Sequence, residues 1–183
     1  MAGQQVAGLY PLLHDCTCHL LAADFDKGNR QDEVKAMSRA CIEYGVPHAV
    51  EISRSGNGAH LWIFFDGKVP ANEARLLGFG LLDKAMEVYP NLSFDSYDRL
   101  FPNQDILPEG RFGNLIVLPL QREARHAGNS SFVDKELNVI EDQWQFLAQI
   151  KRLSGPELDK LLLQISPNGN LISEQNVTDT RPP

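Results

Sequence analysis

The apolar run Cys18-His19-Leu20-Leu21-Ala22-Ala23 ends directly on Asp24-Phe25-Asp26, and no other stretch constrains the fold as tightly. A short apolar run of this kind reads as a buried strand, so the two acids sit at its C-terminal mouth. Alternation along a strand puts both carboxylates on one side and Phe25 on the other. From Arg30 to Tyr44, Val34, Met37, Ala40, Cys41 and Tyr44 recur at helical spacing, and Gly45 with Pro47 closes the helix. Two further strands are predicted over Ala49 to Ile52 and Ala59 to Phe65, joined by the polar turn Ser53-Arg54-Ser55-Gly56-Asn57-Gly58. Pro70 opens a second helix through Ala74, Leu77, Leu81, Ala85 and Val88, in which Gly78 and Gly80 mark close packing on a sheet.

Beyond Tyr89-Pro90 the pattern weakens. A brief strand is expected over Leu92 to Phe94, then a long loop from Asp95 to Gly113, a buried strand over Asn114 to Leu120, and a polar loop from Arg122 to Ser131. Phe132-Val133 reads as one more short strand, and Trp144 to Leu153 and Pro156 to Leu163 as helices. Trp62 and Trp144 read as core. The order βαββαβ plus an additional strand implies an α+β fold: a split βαβ sheet with helices on one face. Residues 1–166 are expected to form the catalytic domain and 167–183, rich in Asn, Ser, Thr and Pro, a flexible tail.

A chain of 183 residues supports one domain whose core needs neither disulfide nor structural metal. Its 17 basic and 24 acidic residues give a net charge of −7, which argues against coating nucleic acid through a general positive field. A phosphate ligand must therefore be met locally, by a few placed cations or bound metals. No apolar run approaches membrane length and no secretory signal opens the chain, so a soluble, cytoplasmic protein without membrane partners is expected. His14, Cys16, Cys18 and His19 invite a zinc reading, but the closely spaced cysteines lack a matching downstream pair, and zinc is rejected.

Three constellations can carry chemistry. Two acids on one strand face repel unless a cation lies between them, and hard oxygen donors at this spacing suit Mg²⁺ or Mn²⁺. The blander alternative is that Asp24 and Asp26 cap the following helix or face solvent. In the second, the turn delivers backbone N–H groups, Ser53, Arg54, Ser55 and Gly58 beside His60, a donor set that can wrap a triphosphate. The third is Ser96-Tyr97-Asp98-Arg99-Leu100-Phe101-Pro102-Asn103-Gln104-Asp105, in which Asp98 is the better third metal ligand and Asp105 a fallback. Asn114 and Gln121 flank the next predicted strand, and Arg99, Arg111, Arg122 and Arg125 reverse the local sign of charge where a phosphate backbone can lie.

With these residues placed, the chain resembles the archaeo-eukaryotic primase superfamily, especially the primase-polymerase domains of TOTE conflict systems and CRISPR-associated primase-polymerases. The resemblance runs through Gly8 to Leu13, Leu21 to Lys27, Ser53 to Trp62, Ser96 to Asp105, Gly113 to Gln121 and Asp142-Gln143-Trp144. It implies an RRM-like catalytic sheet joined to a small α/β unit. It further implies template-directed, two-metal nucleotidyl transfer from nucleoside triphosphates to a 3′-hydroxyl or an initiating nucleotide, on a single-stranded or primed template. Asp24 and Asp26 match the family's first motif, His60 its second, and a hydrophobic-acid third motif falls on Asp98 or Asp95, of which Asp98 is chosen. Asp24, Asp26 and Asp98 then hold two Mg²⁺ or Mn²⁺ ions, while Ser53, Arg54, Ser55, Gly58, His60, Asn114 and Gln121 face the nucleotide. Helicase, nuclease or CRISPR domains accompany such domains elsewhere in the family, and the short lead before Gly8 suggests a core cut from a larger protein. Two rivals are a metal-dependent nuclease or replication-initiator endonuclease with Tyr97 as nucleophile, and a non-catalytic RRM-type module that stacks bases on exposed aromatics.

Overall fold

The computed structural model describes residues 5–165, so the expected tail over 167–183 lies outside the described residues. The elements are β1 (Gly8–Leu9), β2 (Thr17–Asp26), α1 (Arg30–Glu43), β3 (Ala49–Ile52), β4 (Gly58–Pro70), α2 (Ala71–Val88), β5 (Tyr97–Phe101), β6 (Ile116–Val117), α3 (Arg122–His126), β7 (Ser131–Val133), α4 (Gln143–Gln149) and α5 (Gly155–Ile165). The fold is mixed α+β. Its main sheet is antiparallel, in the order β5-β2-β4-β3-β7, and β1 pairs with β6 in a separate two-stranded ribbon. The core elements β2, α1, β3, β4, α2 and β5 follow the βαββαβ order expected from the sequence. No helix among the described residues is long and apolar enough to cross a membrane.

Alternation divides the sheet into two faces. Leu21, Ala23 and Phe25 of β2 and Leu61, Ile63 and Phe65 of β4 point to one side, where they bury Val34, Met37 and Cys41 of α1, Leu77, Leu81 and Ala85 of α2, and Leu158, Leu161 and Ile165 of α5. A buried leucine or phenylalanine side chain contributes about 1.5–3 kcal/mol through removal from water, so this layer holds the domain together. Gly78 lets α2 approach closely: a Cβ there would stand 2.8 Å from Leu100 and 3.1 Å from Leu21. On the other side, Leu20, Ala22, Ala49, Trp62, Phe101 and Phe132 form a smaller cluster under Leu9 and Ile116 of the ribbon.

The expectation of helices on one face needs correction, because Phe146 and Ile150 of the α4 region pack on this second cluster. Trp144, read as core, is 60% exposed because α4 turns its apolar stripe through Phe146 and leaves the indole under the Arg125 guanidinium, 5.6 Å from the ring. The strand expected at Leu92 to Phe94 lies later, at Tyr97–Phe101. Phe94 adopts φ 55°, which no regular strand accommodates, and its buried ring anchors a turn. The strand expected over Asn114 to Leu120 shrinks to Ile116–Val117. Leu120 has φ 64° and its N–H donates to Ser130 O, while Leu118 N–H donates to Ala7 O. Arg122 to His126, expected as loop, forms the short helix α3.

Candidate functional site

The register of the sheet lines up a row of polar residues across the second face. Arg99 of β5 stands opposite Asp24 of β2, Asp24 opposite His60 of β4, and His60 opposite Glu51 of β3. Charge alternates along this row. His60 Nε2 lies 3.3 Å from Asp24 Oδ1, and His60 Nδ1 donates to Glu51 Oε2 at 3.0 Å. The imidazole is only 12% exposed. Burial alone would lower its pKa, but the hydrogen bonds that it donates to Asp24 and Glu51, with their negative charges, outweigh that and push it up to about 9. Both neighbouring carboxylates thus favour the protonated imidazole.

Asp26 follows Asp24 on the same side of β2 and is more exposed, with its Oδ2 4.0 Å from Lys27 Nζ. Asp98 adjoins this row at an irregularity of β5. Asp24 pairs with Arg99 and Phe25 with Tyr97, so Asp98 is the additional residue of a β-bulge. Tyr97 and Leu100 both pack on the helix-covered core although they are three positions apart, which a regular strand does not allow and the bulge does. Asp98 Oδ2 accepts a hydrogen bond from Arg99 Nε at 2.7 Å. The bulge is pinned from below. Ser96 O accepts from Asp26 N–H at 2.7 Å, and Ser96 N–H donates to Glu33 Oε2 at 3.0 Å while its hydroxyl donates to the same oxygen. Glu33, fully buried on α1, thus anchors the segment that leads to Asp98, while Ser96 O ties that segment to the strand of Asp26.

The other two acids of that region go elsewhere. Asp105 is bound to Arg75, whose guanidinium also lies over Phe79, and Asp95 is exposed in the turn before Ser96. Asp24, Asp26 and Asp98 offer only hard oxygen donors on a solvent-accessible face, a donor set that fits Mg²⁺ or Mn²⁺. Among the described residues no group of three or more His, Cys, Asp or Glu side chains is drawn together closely enough to hold an ion. Each aspartate is turned to its own neighbouring cation, as mutual repulsion of three carboxylates requires.

The turn at one end of the row is built from its own polar groups. Ser53 is buried, and its Oγ accepts from Gly58 N–H at 3.1 Å and lies 3.1 Å from Ser55 Oγ. Ser55 Oγ in turn accepts from Asn57 N–H. Gly58 permits close approach: a Cβ there would stand 2.9 Å from Phe25 O and 3.0 Å from Ser53 Oγ. Arg30 of α1 donates to Gly56 O and holds the tip. Arg54 is exposed and, with Gln121, Arg122 and Asn129, lines a cleft of about 330 Å³ beside the turn.

The remaining predicted residues fare differently. Gln121 spends its side chain on backbone, accepting from Ala7 N–H and donating to Ala7 O and Leu118 O, so it anchors β1 to the segment after β6. Asn114 is half-buried just before β6, and Arg111 is exposed. Arg125 stacks on Trp144. Tyr97 packs edge-on to Phe25 with ring centroids 6.0 Å apart, and burial first, with the charges of Asp98 and Asp24 adding to it, pushes its phenol well above the ordinary range.

Sequence reading missed Glu33 and Glu51. An acid inside the four-residue apolar strand Ala49–Ile52 was the available signal for Glu51, and strand register was needed to see its partner. Glu33 reads as an ordinary first-turn helix acid.

A family profile described as the archaeo-eukaryotic primase domain of the TOTE conflict system matches residues 1–161. Among solved structures, the chain is similar to the polymerase domain of Mycobacterium tuberculosis ligase D in complex with DNA, at 17% identity and a TM-score of 0.38. The match covers 84% of this chain and 52% of that one, so the chain spans about half its length. Among curated proteins, none matches.

Proposed function

The chain belongs to the archaeo-eukaryotic primase domain family of TOTE conflict systems, and from that premise we propose that it is a primase-polymerase catalysing template-directed nucleotidyl transfer. Nucleoside triphosphates are the donors, and a nucleic-acid 3′-hydroxyl or an initiating nucleotide is the acceptor. The observation that carries this reading is the polar row on the second sheet face, where Arg99 of β5, Asp24 of β2, His60 of β4 and Glu51 of β3 stand side by side. The strand order β5-β2-β4-β3 of an RRM-like sheet supports it, with β7 as an added strand and the β1–β6 ribbon as part of a smaller unit within a catalytic domain over residues 1–166.

Asp24, Asp26 and Asp98 would hold divalent Mg²⁺ or Mn²⁺, and the chemistry such ions supply when bound is activation of the attacking hydroxyl and neutralisation of the departing pyrophosphate. The chain's own residues do the rest. His60 presents an N–H donor to a phosphate oxygen from a fixed position on β4. Arg54, at the rim of the cleft, adds a guanidinium, and Ser53, Ser55 and Gly58 shape the turn that a triphosphate would line. Asn114 contacts the nucleotide. Gln121, by fixing β1, shapes the same region from behind. Arg99, Arg111, Arg122 and Arg125 supply local positive charge to a single-stranded or primed template on a chain that is acidic overall.

Neither rival gains support. A tyrosine nucleophile must reach a phosphodiester, whereas Tyr97 packs on the helix-covered core. A base-stacking module needs exposed aromatics on its central strands, whereas Trp62 of β4 is fully buried. The test supplies a defined template with labelled ribo- or deoxyribonucleotides, with and without primer, in Mg²⁺ and in Mn²⁺. Extension by the wild type that is abolished in folded Asp24→Ala and Asp26→Ala variants is the expected result; normal incorporation by the folded double variant overturns the reading.

A further inference from the structure

Glu51 belongs to the polar row but has no part in the chemistry proposed above. Its carboxylate is 2% exposed, and taking such a group out of water costs several kcal/mol unless charge and hydrogen bonds offset it. The offset is specific. A single oxygen, Oε2, accepts from His60 Nδ1 at 3.0 Å and from Trp62 Nε1 at 2.9 Å, while Oε1 accepts from the buried Ser130 hydroxyl at 3.4 Å. The indole is a rigid brace, since Trp62 is fully buried and its ring stacks parallel on Phe64. A carboxylate held by that brace cannot swing, and neither can the imidazole tied to it. With Nδ1 engaged by Glu51, the other ring nitrogen, Nε2, stands 3.3 Å from Asp24 Oδ1 on the open side of the row.

We propose that Glu51 is the positioning residue for His60: through Nδ1 it fixes the imidazole so that Nε2 is presented to the phosphates of a bound nucleoside triphosphate. This assignment rests on the nucleotidyl-transfer reading. Glu51 itself touches no substrate; it sets where the neighbouring donor points, as the buried partners of ligand-binding histidines do elsewhere. Glutamine at this position keeps the shape but replaces the charge-assisted hydrogen bond to Nδ1 with a weaker neutral one, so Glu51→Gln loosens the hold on the imidazole with little change in packing.

The experiment measures nucleoside triphosphate affinity by calorimetry in Mg²⁺ on the full chain, with thermal melting of each variant alongside. Glu51→Gln is expected to weaken binding about tenfold and, in primer extension, to raise KM more than it lowers kcat. Trp62→Phe keeps a ring but removes the bracing donor, and a smaller loss of about threefold is expected. In the His60→Gln background both losses vanish, because they act through the imidazole. Wild-type affinity in folded Glu51→Gln overturns the assignment, as does a loss that persists in full without His60. A wild-type chain that binds no triphosphate overturns the nucleotidyl-transfer reading as well, which separates the two failures.

Discussion

The two faces of the main sheet are made from the same strands and differ in almost everything else. On β2, Leu21, Ala23 and Phe25 bury themselves under three helices, while their neighbours Ala22, Asp24 and Asp26 rise from a small apolar patch into charge. On β4, Leu61 and Ile63 join the helix-covered core while His60 stands between two carboxylates and Trp62 braces one of them. A sheet stabilised heavily on one side can carry unfavourable groups on the other. Like-charged acids and a buried glutamate are costs that the helix layer offsets.

Substitutions on the two sides should therefore fail in different ways. The largest contrast is expected between Asp24→Asn and Phe25→Ala, adjacent residues on opposite faces. Asp24→Asn should cut template extension by about 10³-fold or more, about 4 kcal/mol, with a loss of stability smaller than that of Phe25→Ala. Phe25→Ala should instead cost about 3–5 kcal/mol of stability in urea unfolding. If Asp24→Asn melts far below the wild type, the division of labour between faces is wrong.

Acid–base behaviour sharpens the same contrast. The folded-state pKa of His60, about 9, lies above its ordinary value of 6.5, so its stabilising contribution is complete below about pH 6.5 and is lost as pH rises through about 9. In metal-free protein this amounts to on the order of 1–3 kcal/mol. Urea midpoints of the wild type should fall across that window, and those of His60→Gln should be flatter. Next in size is Ser96→Ala, which removes the hydroxyl donor to Glu33 and leaves a buried carboxylate oxygen short of a partner; about 1–3 kcal/mol of stability is expected to go, with weaker Mn²⁺ binding if the knot aligns Asp26 with Asp98. The smallest effect belongs to Trp144→Ala, outside both faces, where loss of the Arg125 stack should cost about 0.5–1 kcal/mol in thermal melting.

The helix-covered face was legible from sequence because periodicity encodes it: α1, α2 and the strands β2, β3 and β4 lie close to where apolar spacing put them. The polar face was legible only in part. Asp24, Asp26 and His60 stood out because acids and a histidine flank apolar runs. Asp98 falls in a stretch read as loop that is strand β5, because a bulge obeys neither the period of a strand nor that of a helix. Glu51 and Glu33 went unread because their meaning lies in partners 9 and 63 residues away in the chain, on other elements. Gln121 misled in the opposite direction: an amide beside a predicted strand end resembles a ligand contact until the backbone it binds is known.

The bulge at Asp98 carries one more consequence. β5 is an edge of the main sheet, and an uninterrupted edge invites a second copy of the chain to add itself strand to strand. The extra residue breaks the regular repeat of outward amide and carbonyl groups that such self-association requires, so the irregularity that carries a candidate metal ligand also guards the molecule against clumping.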